Sequence, residues 1–262
     1  MKKSICFLFA FIITLFFCVN TVCAAPDTAL NWYCVRNKDH KQPLADLNMR
    51  FIENYSGYYI DKNHGDSSSE KVIYLTFDAG YENGNIAKIL DSLKEEQVSA
   101  AFFILENLLI KDTDLVCRMI NEGHIVANHT SKHADVTKYT DISDLKNDLE
   151  ALERLCLEKT QYSMPKYFRC PEGRFSELSM KYTHELGYKT IFWSFAYADW
   201  DNNKQMDATL AKEKILNNIH NGAILLLHPT SSTNANIMKD LIKELKSLGY
   251  RFGTLDELTG KI

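Results

Sequence analysis

The chain has little of what would mark it as disordered or repetitive. Eleven glycines and five prolines in 262 residues are too few for a low-complexity chain, and no internal repeat is apparent. Positive charge is short as well: 30 lysines and arginines stand against 34 acidic residues, a formal net charge of −4. A mildly acidic protein with no basic patch gains nothing from general attraction to nucleic acid or to an anionic wall. Nucleic acid is thereby excluded as a partner, and binding has to come from a shaped site. No CxxC pair occurs. Of seven cysteines, Cys6, Cys18 and Cys23 lie in the first 25 residues, leaving Cys34, Cys117, Cys156 and Cys170 widely scattered. An exported compartment permits disulfides, yet four such cysteines in a domain this size do not require them, and small buried hydrophobes are an equal reading.

What is present begins with a leader. Lys2 and Lys3 precede an almost unbroken apolar run from Ile5 to Val19, and the small residues Ala24 and Ala25 follow. This is the pattern of a secretory signal peptide over 1–25, cut after Ala24 or Ala25. The alternative is a leader retained as an anchor, for which the run is short of the roughly 20 apolar residues that a span needs. Asn20-Thr21-Val22 before Cys23 is a poor match for a lipobox. Losing Lys2 and Lys3 takes the balance to 28 against 34, a net charge of −6. No second apolar run of that length follows.

Residues 26–70 form a polar N-terminal extension that ends in a loop at 63–69. From 71 to 262 the pattern is regular and reads as the catalytic domain. Short β-rich apolar runs at 72–77, 100–105, 124–127, 167–169, 190–194, 223–227 and 251–254 alternate with helical spacings at 86–96, 114–121, 142–159, 176–186, 210–219 and 237–248. Such alternation implies parallel strands joined by right-handed crossovers. Six or seven units fit a β/α barrel better than an open sheet, which alternation alone does not exclude.

The chemically capable residues fall in one kind of place. Asp78, His129, Arg169, Asp199 with Trp200, and His228 each end or follow a different predicted strand. In a β/α barrel those C-terminal ends converge on one face, where active sites form. Each residue also has a plainer reading. Asp78 before Ala79-Gly80 could only cap a turn. His129 and His133, at a spacing that suits a divalent transition metal, could be a chance pair. His228 after Leu225-Leu226-Leu227 could be a satisfied core histidine. Arg169 could be a structural ion-pair residue and Trp200 a core residue. All of these would have to hold at once.

In this order, Thr76-Phe77-Asp78-Ala79-Gly80, His129-Thr130-Ser131-Lys132-His133, Arg169-Cys170-Pro171-Glu172-Gly173, Asp199-Trp200 and Leu225-Leu226-Leu227-His228 resemble the five motifs of the NodB-like polysaccharide deacetylases, carbohydrate esterase family 4. The resemblance runs from about residue 72 to 258 and implies a distorted (β/α)7 barrel. It implies that Asp78 is the general base activating a metal-bound water, that His129 and His133 hold a divalent metal such as zinc, and that Arg169 orients Asp78. His228 would protonate the leaving amine, Asp199 would tune and hold His228, and Trp200 would pack beside it. The chemistry is coherent, because amide hydrolysis needs a potent nucleophile, charge stabilisation on the carbonyl oxygen and an acid for a poor leaving group.

One departure matters. The family usually has a second Asp, a metal ligand, where this chain has Ala79. Two protein nitrogens are then left, with water filling the third place, weaker metal binding and the metal's identity open. The same departure, with Tyr81-Glu82-Asn83-Gly84-Asn85, Phe175-Ser176-Glu177 and His228-Pro229-Thr230-Ser231, resembles the peptidoglycan deacetylases of spore-formers. Those act on N-acetylmuramic acid whose peptide has been removed and lead to muramic δ-lactam in spore cortex. The resemblance therefore implies an exported monomer acting on cell-wall glycan strands during sporulation, with a muramoyl amidase acting first. Gly80, Tyr81, Glu82, Asn83, Pro171 and Arg174 are expected to support the site or bind substrate. The alternatives are a deacetylase of N-acetylglucosamine polymers, and a glycan-binding relative that has lost catalysis with Ala79.

Overall fold

The computed structural model describes residues 25–37 and 39–260, so the leader lies outside the described residues apart from Ala25. The extension is mostly irregular but not idle. Strands β1 (Leu30–Asn31), β2 (Cys34–Val35) and β3 (Leu44–Ala45) precede a 3-10 helix at Leu47–Tyr55, whose first turn is capped by Asp46 accepting from the Asn48 amide. After Ser56, β4 (Gly57–Tyr58) joins the main sheet by running parallel to a later strand. The sequence reading left all of 26–70 outside the barrel. Its β4 has only two residues, and the neighbouring polar residues hide the periodicity that would have marked it.

Past residue 70 the elements are β5 (Lys71–Ala79), α1 (Ile86–Glu95), β6 (Ala101–Ile104), α2 (Glu106–Lys111), α3 (Thr113–Asn121), β7 (Ile125–Asn128) and α4 (Ile142–Thr160). Then come β8 (Tyr167–Phe168), β9 (Arg174–Phe175), α5 (Glu177–Glu185), β10 (Lys189–Ile191), α6 (Ala208–Leu216), β11 (Ala223–Leu227), α7 (Ser232–Ser247), β12 (Tyr250–Phe252) and α8 (Leu255–Leu258). The main sheet is parallel, in the order β11-β5-β6-β7-β8-β10-β4, with β12 added on β5. It curls until its ends meet. Ile60, just past β4, forms an antiparallel bridge to Ala223, and Phe195, past β10, bridges Leu225. The result is a curled, distorted β/α barrel, which the alternation favoured over an open sheet and the family resemblance implied.

Strand β5 explains how the sheet makes both a core and a site. Its period of two turns Val72 and Tyr74 into the barrel, among Phe103, Ala127, Tyr167 and Ile224. It turns Ile73, Leu75, Phe77 and Ala79 outward, onto the buried stripe Ile86, Ile89, Leu90 and Leu93 of α1. Asp78 therefore falls on the inner face. The short ends of β8 and β10 also have a cause. The carbonyls of Ile191 and Phe192, where the sequence pattern extends the strand to 194, are taken by Arg169 instead of a neighbouring ladder.

Among the described residues no helix is long and apolar enough to cross a membrane. Cys34, Cys117, Cys156 and Cys170 are all free thiols.

Candidate active site

Strand register assembles the site. Ala79 is level with Ile104, Ile104 with Asn128, and Asn128 with Phe168. On the other side of β5, Phe77 pairs with Leu227. Asp78 after Phe77 and His228 after Leu227 are therefore level on adjacent strands, and His129 after Asn128 and Arg169 after Phe168 are level with each other, two residues further toward the barrel mouth. Adjacent strands stand about 4.8 Å apart, so the four side chains meet. Asp78, His129 and His228 open onto a cleft of about 620 Å³ whose lining also includes His133 and Trp200.

Arg169 is the brace. Fully buried, it sends Nη1 to Asp78 Oδ1 at 2.8 Å, Nη2 to Thr76 Oγ1 at 2.9 Å and Nε to the Ile191 carbonyl at 2.8 Å. Its guanidinium carbon lies 4.2 Å from the centre of the Phe103 ring. Thr76 is itself fixed by donating to the Leu225 carbonyl at 2.6 Å. Burial works against ionisation of Asp78, but the charge and hydrogen bond of Arg169, with the nearby imidazoles, outweigh it and hold its carboxyl below the usual range.

His129 is set for a different task. The Arg169 carbonyl oxygen, 2.9 Å from Nδ1, can only accept, so Nδ1 carries the proton and Nε2 keeps its lone pair. Nε2 is 3.5 Å from Asp78 Oδ2. Burial pushes the imidazole down to about 4, which keeps it neutral. His133 approaches edge-on, with ring centres 5.1 Å apart.

A loop rather than a helix brings the two histidines together. Thr130 (φ 68°) and His133 (φ 59°) both sit in the left-handed region, a strain of about 1–3 kcal/mol each. Helix α4 holds the loop in place. Asp148 Oδ1 accepts from the Ser131 amide at 2.8 Å, and the Leu149 carbonyl accepts from Asn128 Nδ2 at 2.9 Å.

His129 fits a divalent ion, its Nδ1 held by a carbonyl and its Nε2 lone pair free, and His133 brings a second imidazole beside it. No third His, Cys, Asp or Glu completes a ligand set among the described residues, and Ala79 is buried in the apolar outer layer.

His228 has its own support. Asp199 Oδ1 accepts from Nδ1 at 2.7 Å, and Asp199 Oδ2 accepts from the His228 amide at 2.8 Å. Asn234 completes the set by donating Nδ2 to Asp199 Oδ2 at 2.7 Å. It can do so because Ser231 caps α7 by accepting from the Asn234 amide, which aims the first turn back at the strand end. Burial would lower the His228 pKa, but the Asp199 hydrogen bond and charge prevail and raise it above the ordinary value. Nε2 is left as the free end of the ring.

The remaining predicted residues are dispersed. Trp200 is 62% exposed at the rim, its ring 6.3 Å from that of His228. Tyr81 and Gly80 line the cleft, and the Tyr81 hydroxyl accepts from Asn202 Nδ2 at 2.6 Å. Asn83 ties the loop down by donating to the Thr230 carbonyl. Glu82 turns away from the cleft: Oε2 accepts from the Ile86 amide at the start of α1. Pro171 is buried and opens the tight turn that holds Glu172 (φ 56°) at the rim. Arg174 pairs with Asp135 at 3.0 Å.

Sequence reasoning missed Thr76 as the anchor of Arg169, Asn234 as the anchor of Asp199, and the lining residues Glu172, Gly173 and Trp193. Thr76 and Glu172 lie inside quoted motifs but are polar residues with no signal of their own. Gly173 had a signal, since a Cβ there would lie 2.6 Å from the Trp193 ring, but only the fold reveals it.

Comparison with known proteins agrees with this geometry. The sequence profile described as polysaccharide deacetylase matches residues 65–191. The chain is 38% identical over 236 residues to the peptidoglycan-N-acetylmuramic acid deacetylase PdaA of Bacillus subtilis, covering 90% of this chain and 88% of that protein. The solved structure of Bacillus subtilis PdaA, described as a family 4 carbohydrate esterase, superposes with a TM-score of 0.83 at 36% identity, over 90% of this chain and 99% of that one. A family 4 carbohydrate esterase from Bacillus anthracis superposes with a TM-score of 0.74 at 35% identity, over 92% of this chain and all of that one.

Proposed function

Since the chain belongs to the polysaccharide deacetylase family and is a hydrolase of amide bonds, we propose that it removes the acetyl group from N-acetylmuramic acid in peptidoglycan. The observation that carries the reading is the pairing of Asp78 and His228 on adjacent strands of one cleft, each with a separate buried brace. The similarity to an N-acetylmuramic acid deacetylase over most of both chains supports the choice of sugar.

In this mechanism Asp78, kept ionised by Arg169, takes a proton from the attacking water as its oxygen bonds to the acetyl carbon. The C–N bond then breaks and the nitrogen leaves with a proton from His228 Nε2, giving acetate and a free amine. His129 and His133 would hold a divalent ion, zinc by their donor type, which when bound polarises the carbonyl and makes water a stronger nucleophile. Trp200, Tyr81 and Gly80 along the rim supply further substrate contacts. The setting is the cell-wall space, on peptide-stripped cortex strands in sporulating cells, after a muramoyl amidase and before δ-lactam closure.

Acetate release from peptide-stripped glycan, intact peptidoglycan and chitooligosaccharides tests the substrate. The stripped strands should be turned over fastest; equal rates on chitooligosaccharides would overturn the muramic assignment. The metal has a test independent of rate. Dialysed protein should bind zinc at one per chain, and His129→Ala and His133→Ala should each lower that occupancy. Unchanged occupancy in both variants would remove the metal from these histidines.

A further inference from the structure

The lactyl ether is what separates N-acetylmuramic acid from N-acetylglucosamine, and once the peptide is gone it ends in a carboxylate. A cleft that prefers such a sugar needs a cation where that carboxylate falls. The cleft lining contains none: no lysine or arginine is among its residues, while Asp78 and Glu172 both put carboxylates there. The reading of that charge has to be done from the edge.

Two cations border the histidine side. Lys132, between the two histidines in sequence, has a side chain 80% exposed and reaches Glu106 only loosely, at 3.7 Å. Arg174 is held very differently. Its Nε donates to Asp135 Oδ2 at 3.0 Å. Asp135 is itself fixed, because its Oδ1 accepts from the Thr137 amide at 3.0 Å and from the Thr137 hydroxyl at 2.6 Å. Backbone pairing of Asn31 with Arg174 anchors the other end of the residue. Arg174 and its partner Asp135 each stand next to a lining segment in the chain: Glu172-Gly173 directly before Arg174, and His133 two residues before Asp135. Among the described residues nothing accepts from its two terminal nitrogens, and the side chain is 37% exposed.

We propose that Arg174, braced by Asp135, recognises the lactyl carboxylate of the muramic residue and sets the preference for muramic acid over glucosamine. The inference rests on the proposed muramoyl substrate. A braced guanidinium with both Nη groups free offers the planar fork that a carboxylate accepts in two parallel hydrogen bonds.

The test uses peptide-stripped strands in two forms, with the lactyl carboxylates free or converted to methylamides. The wild-type protein should prefer the free acid in kcat/KM. Arg174→Gln should lose about 10- to 100-fold on the free acid, with the loss in KM, and change less than about threefold on the amide. Its activity on the amide also reports that the variant is folded. Arg174→Lys should retain part of the preference, and Asp135→Asn should weaken it. If Arg174→Gln keeps the full preference and Lys132→Gln loses it, the lysine is the reader and the proposal falls. If the wild type discriminates between neither form, Arg174 reads no carboxylate. If the wild type releases no acetate from either form, the muramoyl reading fails first and the inference falls with it.

Discussion

Asp78→Asn is expected to lower kcat/KM by about 100- to 10,000-fold and to destabilise the fold as well. The activity loss follows from removing the one base on the layer shared with His228. The stability loss follows from Arg169, which is wholly buried and has Asp78 as its anionic partner. Removing one member of a buried pair leaves the other charge uncompensated, at a cost of about 3–5 kcal/mol. Arg169→Met should be comparably destabilising, since it strands the Asp78 carboxylate at 10% exposure together with the hydroxyl and carbonyls that Arg169 now satisfies. The decisive measurement is the double-mutant cycle by denaturant unfolding. The double variant Asp78→Asn, Arg169→Met should be less destabilised than the sum of the two, because the second change removes the charge that the first left bare. Simple additivity would mean that the pair is not coupled and that Arg169 is only a packing residue.

The same pair shows why the site was legible from sequence and its supports were not. Strand ends announce themselves: an apolar run stops, a charged or ring residue follows, and parallel register does the rest. Phe77 level with Leu227, and Asn128 level with Phe168, make neighbours of Asp78 and His228, and of His129 and Arg169, although up to 150 residues separate the members in sequence. The parallel α/β pattern followed from the alternation of strands and helices, and the closed, distorted barrel from the family resemblance. What holds these residues in place has no such signature. Asn234 reads as an ordinary polar residue in the first turn of a helix until Ser231 caps that turn and points it at Asp199. Thr76 reads as a β-branched strand residue, which it is, and its hydroxyl matters because Arg169 happens to reach it.

Local turn chemistry was the other obscured layer. His129 and His133 are joined by a loop with two non-glycine residues in the left-handed region, a conformation that their spacing does not announce. Such strain is tolerated because α4 grips the loop at Ser131 and Asn128. Glu82 illustrates the opposite case. It sits inside a motif beside the cleft, yet its carboxylate serves the amide of Ile86, because the start of α1 has unpaired N–H groups to satisfy.

His228 should give the pH dependence its alkaline limb. Its imidazole is partly buried, which by itself would favour the neutral form, but the Asp199 hydrogen bond and charge raise the pKa above the ordinary 6.5. As a general acid it works only while protonated. The rate constant kcat/KM should therefore hold through pH 6.5 and fall as pH rises through the raised folded-state value. The linked stability has the same sign: the ion pair contributes fully below the unfolded pKa, and its contribution is lost as pH rises through the folded one. In Asp199→Asn the imidazolium loses its anion, so burial prevails and the limb should move to lower pH. Asn234→Ala, which leaves Asp199 in place but frees one of its oxygens, should lower the rate with a smaller change in the limb. In His228→Ala the limb should disappear and the remaining rate be about 100- to 10,000-fold lower. A limb that persists unchanged in His228→Ala would assign the titration to another group. Protonation of the leaving nitrogen would then have to come from a donor other than the histidine that Asp199 and Asn234 hold at the mouth of the barrel.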